Sequence, residues 1–155
     1  IRPGANSRMA PDWPDTTMQN TPGAALMVFL VLLTQFNDVA QYVWGKSLGR
    51  ARVVPTVSPG KTVAGLLGGV GSTTVLAVLL GPWLTILDWK TSLVSGAMIG
   101  FGGFIGDVLI SALKRDLGVK DSGTTLPGHG GVLDRIDSLT CTAPLFFHFV
   151  YYWYG

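Results

Sequence analysis

The chain has 155 residues, of which 48% are hydrophobic and only 13% charged, with a formal net charge of +2. A mean hydropathy of +0.42 with so few charges sets it apart from soluble globular proteins and indicates one membrane-embedded domain. The small charge excludes nucleic-acid binding by bulk electrostatics, and a single cysteine, Cys141, excludes a disulfide framework or a cysteine metal site.

Residues 1–22 carry four prolines and no apolar periodicity, so they read as a loop. Trp13 suits either a lipid interface or an exposed connector. There is no basic region followed by an apolar core at the start, so no signal peptide is expected. Residues 23–44 form the first predicted membrane helix, long enough for the hydrocarbon core. Asp38, near its end, is its anomaly. A carboxylate there is costly unless it reaches the interface, a polar cavity or a cation. Residues 45–62 read as a basic loop. Gly60-Lys61-Thr62 mimics the end of a phosphate-binding P-loop, but Pro55 stands where that motif needs glycine and no strand is expected before it, so the motif is rejected.

A second helix is predicted over 63–87, with Gly65 and Gly69 spaced for close helix packing and Gly81-Pro82 marking its end or a kink. Residues 82–91 make a short connection with Trp83 and Trp89 at an interface. A third helix covers 92–113, with the pairs Gly96/Gly100 and Gly102/Gly106. Asp107 interrupts its neutral run and must face protein, water or metal. At helical spacing it shares a face with Ser111 and with Lys114 or Arg115. Residues 114–137 are a long polar loop in which most remaining charges gather, and 138–154 form a fourth apolar stretch ending in an aromatic belt. His148 and Cys141 read there as interfacial and packing residues. The fold expected is all-α and polytopic, with four transmembrane helices.

Lysine and arginine number two in residues 1–22, four in 45–62, one in 82–91 and four in 114–137. With four spans these loops alternate sides, and the positive-inside rule puts 45–62 and 114–137 in the cytoplasm. Asp38 and Asp107 then lie near the cytoplasmic ends of their helices.

The run from Ser111 to Asp137, SALKRDLGVKDSGTTLPGHGGVLDRID, resembles the signature of the phosphatidate cytidylyltransferases, or CDP-diacylglycerol synthases. The matching positions are Ser111, Leu113, Lys114-Arg115, Lys120-Asp121, Gly123, His129-Gly130-Gly131, Val132, Asp134-Arg135, Ile136 and Asp137. Asn37-Asp38 through Tyr42, Gly45-Lys46 and Gly49-Arg50 resembles a second element of that family, with its two basic types exchanged and Gln41 in place of a small residue. Ser58-Pro59-x-Lys61-Thr62 resembles a third.

The resemblance implies cytidylyl transfer from CTP to phosphatidate, giving CDP-diacylglycerol and pyrophosphate at a bacterial inner membrane. Asp107, Asp134 and Asp137 are expected around Mg²⁺, with room for a second cation, since oxygen ligands and phosphates suit that ion. Lys114 and Arg115 are expected to act in catalysis, and Lys120, Asp121, His129, Gly130, Gly131, Arg135 and Ser111 to hold the nucleotide. Asp38, Lys46, Ser58 and Lys61 are the expected substrate contacts. It also implies that the chain is the C-terminal half of a longer, dimeric protein. Competing readings are a CTP-dependent polyprenol kinase, a serine hydrolase on Ser111 (which lacks a nucleophile elbow) and a non-catalytic helical module.

Overall fold

The computed structural model of the protein describes residues 22–118 and 132–154, and within the last helix the side chains from Ser138 onward. Four helices account for most of it: α1 Pro22–Leu48, α2 Val63–Leu84, α3 Trp89–Asp116 and α4 Val132–Tyr154. At about 1.5 Å per residue, each is long enough to match a hydrocarbon core of about 30 Å. By length and composition α1, α2 and α3 qualify as membrane spans. The first two turns of α4 carry Asp134, Arg135 and Asp137.

Each of the four helices departs from its expected bounds. α1 and α3 continue past their apolar runs, so Lys46 and both Lys114 and Arg115 sit on last helical turns. Cations there face unsatisfied carbonyls, which favours the extra turn. α4 starts at Val132 rather than Ser138, so Asp134 and Asp137 lie on a helix, three positions apart. α2 keeps Pro82 inside it but ends at Leu84, short of the expected 87, with the Thr85 N–H donating to the Gly81 carbonyl, and α3 starts three residues earlier than expected, at Trp89.

The 45–62 segment is not a plain loop. Beyond the end of α1, β1 (Arg52–Val54) pairs antiparallel with β2 (Ser58–Thr62). Val53 and Val54 favour extended backbone, Pro55 opens the turn, and Pro59 is tolerated because a two-stranded ribbon has free edges. A strand therefore does precede Pro55–Thr62. It is antiparallel, and Pro55 still lacks the glycine a P-loop needs. Thr62 then caps α2, its Oγ1 accepting from the Gly65 N–H at 3.1 Å.

The bundle is small inside and large outside. Gly65, Gly69, Thr73, Ala77 and Gly81, each four apart, are the buried residues of α2, and this stripe lets α1 and α3 close on it. A Cβ on Gly65 would meet the Gln41 carbonyl oxygen at 2.7 Å, and one on Gly100 would meet the Val70 Cα at 2.9 Å. Phe29, Leu30, Leu33, Ala77, Leu87, Ile99 and Phe146 form the apolar core. Leu67, Val75, Leu79 and Trp83 face outward, as suits a chain whose exterior meets lipid.

Candidate active site

A polar seam runs down the inner face of α1. Thr34, Asn37 and Gln41 are all buried there, three and four positions apart, so they share one face. Asn37 joins three helices: its Oδ1 accepts from the Thr73 hydroxyl at 3.2 Å, and its Nδ2 donates to the Gly100 carbonyl at 3.3 Å. Buried polar groups need such partners, and a satisfied network of this kind helps set helix register. The next residue, Asp38, thereby has its direction fixed.

Asp38 and Asp107 converge on one hydroxyl. Ser138 Oγ, buried at the base of α4, lies 2.9 and 3.1 Å from the two Asp38 oxygens and 2.7 Å from Asp107 Oδ1. Ser138 has one proton to donate, so it serves one of these oxygens at a time. The other contact sets oxygen against oxygen, and two carboxylates so close favour a cation between them. Lys61 supplies one charge: its ammonium pairs with Asp107 Oδ2, both side chains being about four-fifths buried (22% and 19% exposed). Lys61 also donates to Gln41 Oε1 at 3.3 Å and sits 5.7 Å from the centre of the Phe104 ring.

A cleft of about 190 Å³ opens beside this cluster, lined by residues that include Asp38, Gln41, Tyr42, Ser58, Lys61 and Thr62. One wall comes from α1 and another from β2 and the start of α2. The hairpin that was expected to be a loop is thus what carries Ser58 and Lys61 to the carboxylates. Arg115 holds the hairpin from the far side, its Nη1 donating to the Thr56 carbonyl in the turn.

The structure brings together four of the expected site residues, Asp38, Asp107, Lys61 and Ser58. Ser111 follows Asp107 by one turn and is half-buried, as is Lys114 one turn later. Lys46 faces outward, 5.7 Å over the Tyr42 ring, and His148 is exposed. Lys120, Asp121, His129, Gly130 and Gly131 lie outside the described residues, as do the side chains of Asp134, Arg135 and Asp137. On the backbone of α4, Asp134 stands one turn before Ser138. Among the described residues no three His, Cys, Asp or Glu form a metal-sized group. Asp38, Asp107 and the Ser138 hydroxyl are nonetheless an all-oxygen set of the kind that suits Mg²⁺.

Two residues of this site were not singled out from the sequence. Ser138 reads as the first residue of an apolar span, and only its place directly after Asp137, four beyond Asp134, signals otherwise. Gln41 shows only as a large side chain where the resembled family carries a small one.

A polar, charge-paired cleft thus sits among helices of membrane-spanning length and composition. The model of the cytidylyltransferase family matches residues 14–153, and the chain belongs to that family, whose class is nucleotidyltransferase. It is 58% identical over 139 residues to the uncharacterized protein YnbB of Escherichia coli K12, covering 90% of this chain and 46% of that protein. It is 43% identical to the phosphatidate cytidylyltransferase of Synechocystis, covering 89% of this chain and 48% of the relative. The phosphatidate cytidylyltransferase of Thermotoga maritima is 40% identical, with 79% and 48% covered. Among solved structures, an intramembrane enzyme for archaeal membrane lipid biosynthesis superposes with a TM-score of 0.56 at 25% identity, covering 79% of this chain and 76% of that one. The chain spans about half the length of the curated relatives it matches.

Proposed function

We propose that the chain carries the reaction centre of a phosphatidate cytidylyltransferase. The observation that carries this reading is the pair of carboxylates, Asp38 and Asp107, bridged by Ser138 and faced by Lys61 at the mouth of a cleft. Two relatives named for this activity, at 43% and 40% identity, support it.

In the proposed reaction a phosphate oxygen of phosphatidate forms a bond to the α-phosphorus of CTP. The bond from that phosphorus to the β-bridging oxygen breaks, and pyrophosphate leaves with the electron pair. The attacking phosphate is already anionic, so no strong base is needed. Transfer then depends on in-line placement and on neutralising oxygens as charge shifts.

Asp38 and Asp107, with Asp134 and Asp137 on α4, would hold Mg²⁺, which when bound supplies charge neutralisation at the phosphates. Ser138 keeps the first two carboxylates at a fixed separation. Lys61 leaves Asp107 for a phosphate oxygen, exchanging one charge-assisted hydrogen bond for another. Lys114, Arg115, Lys120, Arg135 and the His129-Gly130-Gly131 turn would receive the triphosphate. The 3 against 8 division of basic residues supports four spans in a bacterial inner membrane with this site facing the cytoplasm, and a homodimer is the proposed assembly.

The test is a transfer assay on the protein in liposomes with phosphatidate, Mg²⁺ and CTP labelled at the α-phosphate. Label in the lipid fraction is the expected result. Label reaching lipid only from the γ-phosphate would make the protein a lipid kinase and overturn the proposal.

A further inference from the structure

We infer that Gln41 contacts a phosphoryl oxygen of the ligand and so helps select it. Gln41 is 5% exposed and lines the cleft. Its amide orientation is fixed by chemistry: the Lys61 ammonium has donors only, so the Gln41 oxygen must be the atom that faces it, at 3.3 Å. The amide nitrogen is thereby turned to the other side. Among the described residues it is the buried side-chain nitrogen or oxygen that lacks a hydrogen-bond partner.

A buried donor without an acceptor is held at a cost, and the cost is recovered when an acceptor arrives. What arrives must accept from an amide N–H while lying beside an ammonium, which describes an anionic oxygen. The same cleft presents the hydroxyl-bearing residues Tyr42, Ser58 and Thr62, further partners for a phosphoryl group. A small residue at position 41, as in the resembled family, provides neither the tether on Lys61 nor the extra donor. Gln41 is therefore a feature of this chain's own cleft, and two sources of the phosphoryl oxygen fit it, a lipid headgroup phosphate and a nucleotide phosphate.

The inference rests on the cytidylyltransferase reading only for the choice of those two ligands. It is tested by equilibrium titration of the purified protein in nanodiscs with short-chain phosphatidate and, separately, with CTP. Wild type is compared with Gln41→Met, which keeps the volume and adds no charge, and with Gln41→Glu, which keeps the acceptor for Lys61 and removes the donor. Thermal melts establish that each variant is folded. Loss of one donor to an anionic oxygen predicts about 10- to 100-fold weaker binding of one ligand in both variants, with the other ligand within about twofold. Weakened phosphatidate identifies the lipid headgroup, and weakened CTP identifies the nucleotide. Unchanged affinity for both ligands in a folded Gln41→Met variant overturns the inference, as does wild-type protein that binds neither. The α-label transfer assay is scored separately. Binding that depends on Gln41 without transfer sinks the functional reading alone, and transfer with Gln41-independent binding sinks this inference alone.

Discussion

Ser138 is the residue on which the two acidic helices meet. Its hydroxyl mediates between Asp38 and Asp107, and Ser138→Ala leaves those carboxylates facing each other with nothing between. The expected cost is about 1–3 kcal/mol of stability, read as a lowered Tm in detergent. An unchanged Tm would mean that solvent already separates the two acids. The Lys61–Asp107 pair is largely buried, so removing one partner strands the other. A double-mutant cycle with Lys61→Met and Asp107→Asn should give a coupling energy of about 1–3 kcal/mol, and a value near zero would mean the pair adds nothing beyond its separate parts. Asp107 was legible in the sequence because a charge in an apolar run has few benign explanations, and Lys61 was legible only through the resemblance of Ser58-Pro59-x-Lys61-Thr62 to a family element. Ser138 was not. A serine at the edge of an apolar stretch carries no such penalty, and its role depends on two residues far away in the chain.

At the scale of elements, helix existence was readable and helix ends were not. Hydropathy marks where lipid begins, whereas α1 and α3 run on for as long as their last turns are stabilised by Lys46 and by Lys114 and Arg115. The hairpin was hidden because its strands, of 3 and 5 residues, are too short for a period to show. The small-residue stripe of α2, in contrast, was partly visible as Gly65 and Gly69, and it sets a prediction of its own. Gly65→Leu drives a side chain into the α1 backbone at Gln41 and should lower stability by about 1–3 kcal/mol or more. Gly71→Leu, at a position with open space around it, should leave the stability within about 0.5 kcal/mol of wild type. Equal losses at both positions would contradict the packing described for α1 and α2.

The whole molecule places its chemistry at one end of the bundle, where the hairpin, the end of α1 and the start of α4 come together. Membrane orientation can be read there directly. In a Cys141→Ala background, Gly60→Cys on the hairpin and Trp83→Cys at the far end of α2 should label from opposite faces of sealed vesicles. Labelling of both from one side would contradict the spanning topology. The fold class, the family and half of the site follow from apolar runs and a motif. The meeting of Asp38 with Asp107 does not, because it depends on packing between α1 and α3, which the hairpin and α2 separate in sequence.

The central claim is that this meeting point is the reaction centre. The measurement that tests it most directly is the initial rate of α-label transfer from CTP to phosphatidate by Asp107→Asn protein, with His148→Ala as an exposed control on α4. The account predicts a loss of at least about 100-fold for Asp107→Asn, in line with removal of a charged group that stabilises a transition state, and a rate within about twofold for His148→Ala. Full transfer by a folded Asp107→Asn protein would contradict it.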